Sequence, residues 1–238
     1  MDKSIQEEFI STVSHELRTP LTSIRGFSQT LLTSWEKISD EDKKKFVKII
    51  EEQSNRLIHL VENILSVSKL DVQNQILKKV DINTSVEKVL ATLAGKYKNR
   101  KYNFYKSKTP VYAFLDEDKL QQILTNIIDN ATKYSENDKI VFISTEIYQN
   151  NVLIKVKDEG VGIKKEDYPK VFQKFSRLEN HLTSKTQGNG LGLYITKQLI
   201  DKMGGKISFS SEENKGTTFE IIFPYYNQEE VLKCSQKS

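Results

Sequence analysis

The sequence predicts a multi-domain chain: an all-α helical hairpin that forms a dimeric four-helix bundle, followed by an α+β sandwich whose sheet carries helices on one face. Three observations predict it. Apolar residues recur by threes and fours almost from the start of the chain to Leu70, the period of two long amphipathic helices. From Val80 onward the pattern becomes short alternating strands interspersed with helices. A polar connector, 71–79, separates the two patterns.

The first helix is predicted over 4–32. Its apolar stripe is Ile5, Phe9, Val13, Leu17, Leu21, Ile24, Phe27 and Leu31. At about 100° per residue the stripe centres near Val13 and Leu21 and leaves His15 nearly opposite, in water beside Ser11 and Thr22. Pro20 lacks a backbone donor and predicts a kink. Residues 35–40 read as a turn, with Ser39 or Asp40 as N-cap of a second helix that ends near Leu70. That helix carries Phe46, Ile49, Ile50, Gln53, Leu57, Leu60, Ile64 and Val67 on one side. Two antiparallel helices cover each other's stripes only in part, which predicts a homodimer.

In the second domain, strands are predicted over 80–82, 111–115, 140–147, 152–157, 206–210 and 217–223, and helices over 84–93, 116–132 and 190–203. Leu120, Ile123, Leu124, Ile127 and Ile128 give the 116–132 helix its apolar side, and Gln149-Asn150-Asn151 reads as a hairpin turn. The domains are thus 1–75 and 80–225, with a polar C-terminal tail over 226–238.

Composition excludes several classes. At 29% charged and 37% hydrophobic residues the chain is ordinary for a water-soluble protein. No apolar run approaches the roughly 18–20 residues of a membrane span, and no signal peptide is recognisable. Cys234 is the single cysteine, so no disulfide forms within the chain, which suits a reducing compartment. The net charge of +4 is densest over 96–108, which reads as a solvated loop. No aromatic-basic alternation of the kind that binds single-stranded nucleic acid accompanies it.

Four stretches carry chemistry. Exposed His15 is followed by Glu16, a carboxylate able to accept an imidazole N–H, and Thr19 lies one turn on. Asn126 and Asn130, at i,i+4, either offer carboxamide oxygens to a hard cation, with Lys133 reaching a phosphate, or are ordinary helix-end asparagines. Asp158-Glu159-Gly160-Val161-Gly162 ends a strand; its aspartate can accept from a ligand amine and its glycines permit close backbone approach, or it is a plain turn. Gly188-Asn189-Gly190-Leu191-Gly192 opens a helix, where backbone N–H groups hold phosphate, but it has neither Rossmann nor P-loop spacing. The polar stretch 176–187 before it reads as a lid, with Phe172 and Phe175 as core residues at its root, and Gly216-Thr217 marks a turn.

In order and spacing, Asn126-x-x-x-Asn130, Asp158-x-Gly160-x-Gly162, Phe172-x-x-Phe175, Gly188-x-Gly190-x-Gly192 and Gly216-Thr217 resemble the N box, glycine boxes and F box of sensor histidine kinases. Residues 14–21, Ser-His-Glu-Leu-Arg-Thr-Pro-Leu, resemble the H box of the same family. The resemblance covers about 9–223 and departs at no motif position.

It implies a dimerisation and phosphotransfer hairpin followed by an ATP-binding domain with the fold of DNA gyrase and heat-shock chaperone ATPases. It implies ATP and Mg²⁺ as cofactors and an aspartate of a response regulator as the final acceptor. His15 is then the phosphoacceptor, Glu16 its orienting base, and Arg177 the group that reaches the γ-phosphate. Asp158 reads the adenine amine, Tyr134 is either an adenine neighbour or a core aromatic, Asn130 and Asn126 hold the metal, and Lys133 meets phosphate. Gly188, Gly190, Leu191 and Gly192 cap the phosphates, while Glu16 and Thr19 resemble the Glu-x-x-Thr pattern of members that are also phosphatases. His59 and His181 fit no phosphoacceptor role. Family members usually carry an input domain, often transmembrane, so this chain resembles a cytoplasmic catalytic core or a short soluble member. The rival readings are another ATPase of the same fold, an anti-sigma serine kinase, and a catalytically silent dimeric nucleotide-binding scaffold.

Overall fold

The computed structural model describes residues 3–69, 76–176, 178 and 190–226. The chain divides into two compact units, Met1–Lys69 and Leu70–Ser238.

The first unit is a hairpin of α1 (Lys3–Ser34) and α2 (Asp40–Lys69), joined through a single 3-10 turn at Trp35–Lys37. Ser39 is the N-cap of α2: its hydroxyl accepts from the Asp42 N–H at 3.1 Å and donates to the Asp42 carboxylate at 2.8 Å. The Phe27 and Phe46 rings meet 5.1 Å apart between the helices. The inner stripe of α1 differs from the expectation at one place. Leu21 is 53% exposed and Pro20 is buried instead. The run Leu17, Pro20, Ile24, Phe27, Leu31 keeps the three-four alternation, whereas Leu21 lies about 100° further round. α1 continues through Pro20 as one helix. Among the described side chains of this unit, only those of Pro20, Leu31 and Leu60 are buried.

The second unit has the elements β1 (Lys78–Asp81), α3 (Ile82–Lys96), β2 (Lys101–Tyr105), β3 (Tyr112–Leu115), α4 (Glu117–Lys133), β4 (Ile140–Tyr148), β5 (Asn151–Lys157), α5 (Gly192–Lys202), β6 (Lys206–Glu212) and β7 (Gly216–Pro224). Five strands form one sheet in the order β2-β4-β5-β7-β6, and β1 pairs with β3 in a separate two-stranded sheet. Asp81 and Asp116 cap α3 and α4, each accepting from the backbone N–H three residues on. Val141 and Ile143 of β4, Ile154 and Val156 of β5, and Phe219, Ile221 and Phe223 of β7 are buried, as are Leu120, Ile123, Leu124, Ile127 and Ile128 of α4. Gln149 (φ 49°) and Asn150 (φ 60°) turn the β4–β5 hairpin, with positive φ at both central residues as the twist of the strands requires.

The expected solvated loop over 96–108 contains β2, an edge strand running parallel to β4. Half-buried Tyr102 and Phe104 alternate there with exposed Lys101, Asn103 and Tyr105, a two-residue period partly hidden by the density of lysines.

Candidate functional site

His15 lies on the exposed face of α1, and its imidazole has no hydrogen-bond partner among the described residues. No hydrogen bond joins the Glu16 carboxylate to it. Consecutive helical residues diverge by about 100°, and the Glu16 carboxylate instead takes the Arg56 guanidinium of α2 at 3.2 Å, with both side chains about three-quarters buried. The expectation of a Glu16–imidazole bond is thereby corrected. The Thr19 hydroxyl donates to the His15 carbonyl at 3.3 Å. The carbonyl released by Pro20 is that of Glu16, four residues before it, so Thr19 does not serve as its substitute donor.

In the second unit, chain order places Asp158 at the mouth of the sheet, just beyond β5. Its own N–H donates to the Thr217 carbonyl at 2.9 Å. Its Oδ1 accepts from the N–H groups of Gly160 at 2.8 Å and Thr217 at 3.2 Å. Asp158 is 5% exposed, and its Oδ2 has no partner among the described residues. Burial pushes the acid up to about 6, against the two backbone donors and the more distant Arg100 charge, which pull it down. A buried carboxylate oxygen without a protein donor is a candidate acceptor for a ligand amine.

Glycines beside it are required by contact. Gly160 packs on the Tyr134 carbonyl and Gly162 (φ 65°) on that of Glu212, both too closely for a Cβ. The Val161 N–H donates to the Tyr134 carbonyl at 3.0 Å, so the end of α4 and the 158–163 loop are joined. Ser211 fastens the loop's other side, accepting from the Ile163 N–H at 2.8 Å and bonding the Thr217 hydroxyl at 2.8 Å.

On α4, Asn126 and Asn130 have different situations. Asn126 Nδ2 donates to Thr196 Oγ1 of α5 at 2.8 Å, and its amide oxygen rests against Gly192. The half-buried Asn130 side chain has no partner among the described residues. Lys133 pairs with Asp129 at 2.5 Å, and Asp129 also binds Lys96 at 2.9 Å and Tyr97 at 2.8 Å. Burial works against the Asp129 charge, but the two lysines outweigh it and hold the acid below its ordinary value. Half-buried Tyr134 is the C-cap of α4.

Phe175 (φ 58°) and Gly190 (φ 68°) stand at the two edges of the next stretch, and a Cβ on Gly190 would come 2.5 Å from the Phe175 carbonyl carbon. Phe172 is edge-on to Phe209 at 5.8 Å, as a core residue would be. The Leu191 side chain is fully buried, and its carbonyl accepts from the Ile195 N–H at 2.9 Å in the first turn of α5. α5 starts at Gly192 without a side-chain cap or an acid in its first turn, the condition in which helix N–H groups attract an anion. Arg177, His181 and Gly188 lie outside the described residues.

Thr196, Ser211 and Asp129 belong to none of the sequence motifs, whereas Thr217 stands in the Gly216-Thr217 pair. The first three are ordinary polar residues whose roles arise from long-range pairing.

Comparison with known proteins agrees with this geometry. Residues 5–73 match the His Kinase A (phospho-acceptor) domain, and residues 115–227 the histidine kinase-, DNA gyrase B- and HSP90-like ATPases. The chain is 35% identical over 233 residues to the sensor histidine kinase WalK of Bacillus subtilis, covering 94% of this chain and 38% of the relative. It is 34% identical to the signal transduction histidine-protein kinase ArlS of Staphylococcus haemolyticus, covering 92% and 48%. It therefore spans less than half of either relative. Among solved structures, histidine kinase ThkA in complex with the response regulator protein TrrA superimposes with a TM-score of 0.76 at 26% identity, over 94% of this chain and 63% of that one. ShkA in complex with AMPPNP does so with a TM-score of 0.66 at 27% identity, over 92% and 46%.

Proposed function

The chain belongs to the sensor histidine kinases, and we propose that it transfers the γ-phosphoryl group of ATP to His15 and then to an aspartate of a response regulator. The observation that carries this reading is the pairing, in one chain, of an unpartnered exposed imidazole with a buried carboxylate that lacks a donor. Asp158 Oδ2 accepts the adenine amine. Asn130 is the free amide oxygen on α4 and would hold Mg²⁺ there, with Asn126 fixed beside it by Thr196. Lys133 shares its charge between Asp129 and the phosphates, the N–H groups around Gly190–Gly192 cap them, and Arg177 meets the γ-phosphoryl.

In the transfer, the bond from the terminal phosphorus to its bridging oxygen breaks and a bond from phosphorus to an imidazole nitrogen forms. ADP leaves with the bond's electron pair. The protein chiefly positions groups and disperses charge. To take the proton that the imidazole loses, the Glu16 carboxylate exchanges its Arg56 partner for the imidazole N–H.

The unit acts as a homodimer on the cytoplasmic side. In one copy Ile58 is 54%, Val61 44% and Leu65 48% exposed, a stripe along α2 that a second hairpin covers. Covering each is worth roughly 1.5–3 kcal/mol. The ThkA–TrrA complex supports a receiver domain as partner, and the ShkA–AMPPNP complex supports an adenine nucleotide. Thr19 gives the chain a second activity, removal of phosphate from the regulator, by aligning water from the side of the helix that carries His15.

The test uses labelled, phosphorylated chain mixed with a receiver domain. Label should move to the receiver and then be released as phosphate. Thr19→Ala should keep the movement and lose the release. A receiver that never acquires label would refute the transfer reading, and equal release by both chains would remove Thr19 from it.

A further inference from the structure

Arg100, in the connection between α3 and β2, belongs to none of the motifs. Its guanidinium donates to four backbone carbonyls at the end of α4 and in the segment that follows it: those of Thr132, in the last turn of α4, and Glu136 at short range, Ser135 at 2.8 Å and Lys139 at 3.2 Å. The last carbonyls of a helix have no intrahelical donor and carry its negative dipole end. The planar fork of five N–H groups is the one side chain suited to several at once. The segment is fastened again by hydroxyls. Thr132 Oγ1 donates to the Ile128 carbonyl at 2.7 Å and Ser135 Oγ to that of Ala131 at 2.6 Å, while the Tyr102 hydroxyl bonds Thr132 Oγ1 at 3.2 Å.

Between the gripped residues stands Tyr134. Its carbonyl accepts from Val161 and packs against Gly160, whose N–H in turn donates to Asp158. A shift of the gripped segment is therefore passed through two backbone contacts to the Asp158 carboxylate. It also reaches Asn130 and Lys133, which lie in the last turn of the helix that the segment ends.

We propose that Arg100 is the positioning residue of the nucleotide site, holding the end of α4 and Tyr134 in register with the loop that carries Gly160 and Asp158. The inference rests on the ATP reading above. Arg100 touches no reacting atom; it acts through Tyr134 and through its charge. The ionisable groups around it are Tyr97, Tyr102, Asp138 and Asp158, and its positive charge helps hold the Asp158 acid down.

The experiment titrates ADP into the whole chain by calorimetry across the pH range in which Asp158 ionises, for the natural sequence, Arg100→Gln and Arg100→Lys, with melting curves for each. Arg100→Gln should bind ADP at least about tenfold more weakly. Its acid loss of binding should begin at higher pH, because the charge that lowers the Asp158 acid is gone. Arg100→Lys should keep the natural pH midpoint yet bind weakly, since a compact ammonium cannot span four carbonyls. A merely stabilising residue would lower the melting temperature and leave affinity and midpoint alone. Natural affinity and midpoint in both variants would overturn the proposal, and so would failure of both to fold, which would make Arg100 a structural clamp. A natural chain that takes up no ADP at any pH would refute the nucleotide reading itself, and this inference with it.

Discussion

The two units place the groups proposed for them, His15 and Asp158, in opposite surroundings. On the hairpin, His15 is exposed and unpartnered, and few side chains around it are buried. In the second unit, Asp158 is enclosed, hydrogen-bonded on one oxygen and set among glycines that admit no Cβ. An acceptor that must meet both a nucleotide and a partner protein has to be approachable. A base-reading carboxylate must be dry, because its discrimination comes from an unmet bond. The same contrast extends to stability: the second unit has a closed core, whereas the hairpin shows apolar side chains at Ile58, Val61 and Leu65, which the proposed dimer would cover.

Breaking the hairpin's partnership should give the largest effect. Val61→Lys places a charge in the proposed dimer seam and should turn the dimer into a monomer in sedimentation at micromolar concentration, a loss of several kcal/mol. ADP affinity should not change. A dimer that survives, or an ADP affinity that falls, would break the division of labour between the units.

Asp158→Asn should do the converse. ADP binding should fall about tenfold to a hundredfold, the worth of a charged hydrogen bond, while the hairpin dimer persists. The unliganded second unit should become more stable. Its folded acid is raised from 3.8 to about 6, so the ionised form costs stability. That cost is absent below 3.8, grows as pH rises through the interval, and is complete above about 6. Its upper limit is roughly 3 kcal/mol. Thermal melts of both chains at neutral pH measure it, and a destabilised variant would contradict the account.

The smallest expected effect is the pH dependence of the natural chain. As pH falls through about 6, Asp158 takes up a proton and ceases to be a pure acceptor, so ADP affinity should decline by at most about tenfold per pH unit. Calorimetric titration checks it. A flat profile down to the ordinary aspartate range would mean that Asp158 is not the base-reading group.

Much of the fold was legible in sequence because its signals are local. The stripes of α1 and α2, the cap at Ser39 and the Gln149-Asn150 turn each follow from neighbouring residues. The exchange of Leu21 for Pro20 was harder to foresee, since either residue completes a three-four pattern and packing against α2 decides. β2 was missed because lysines mask its Tyr102–Phe104 alternation and because its partner, β4, is some forty residues away. At the site, the motif residues Asp158, Gly160 and Gly162 came from spacing. What engages Glu16, Asn126 and Lys133 did not: Arg56, Thr196 and Asp129 meet them through the fold, and no spacing rule announces those pairs.

The central claim is that the nucleotide site of one unit serves the imidazole of the other, and the nature of the covalent product tests it most directly. The chain is incubated with γ-labelled ATP and Mg²⁺, and the labelled protein is divided between acid and alkali. The account predicts label that acid removes and alkali leaves, absent from His15→Gln although that variant still binds ADP as the natural chain does. Label that survives acid, or that persists in His15→Gln, would contradict it.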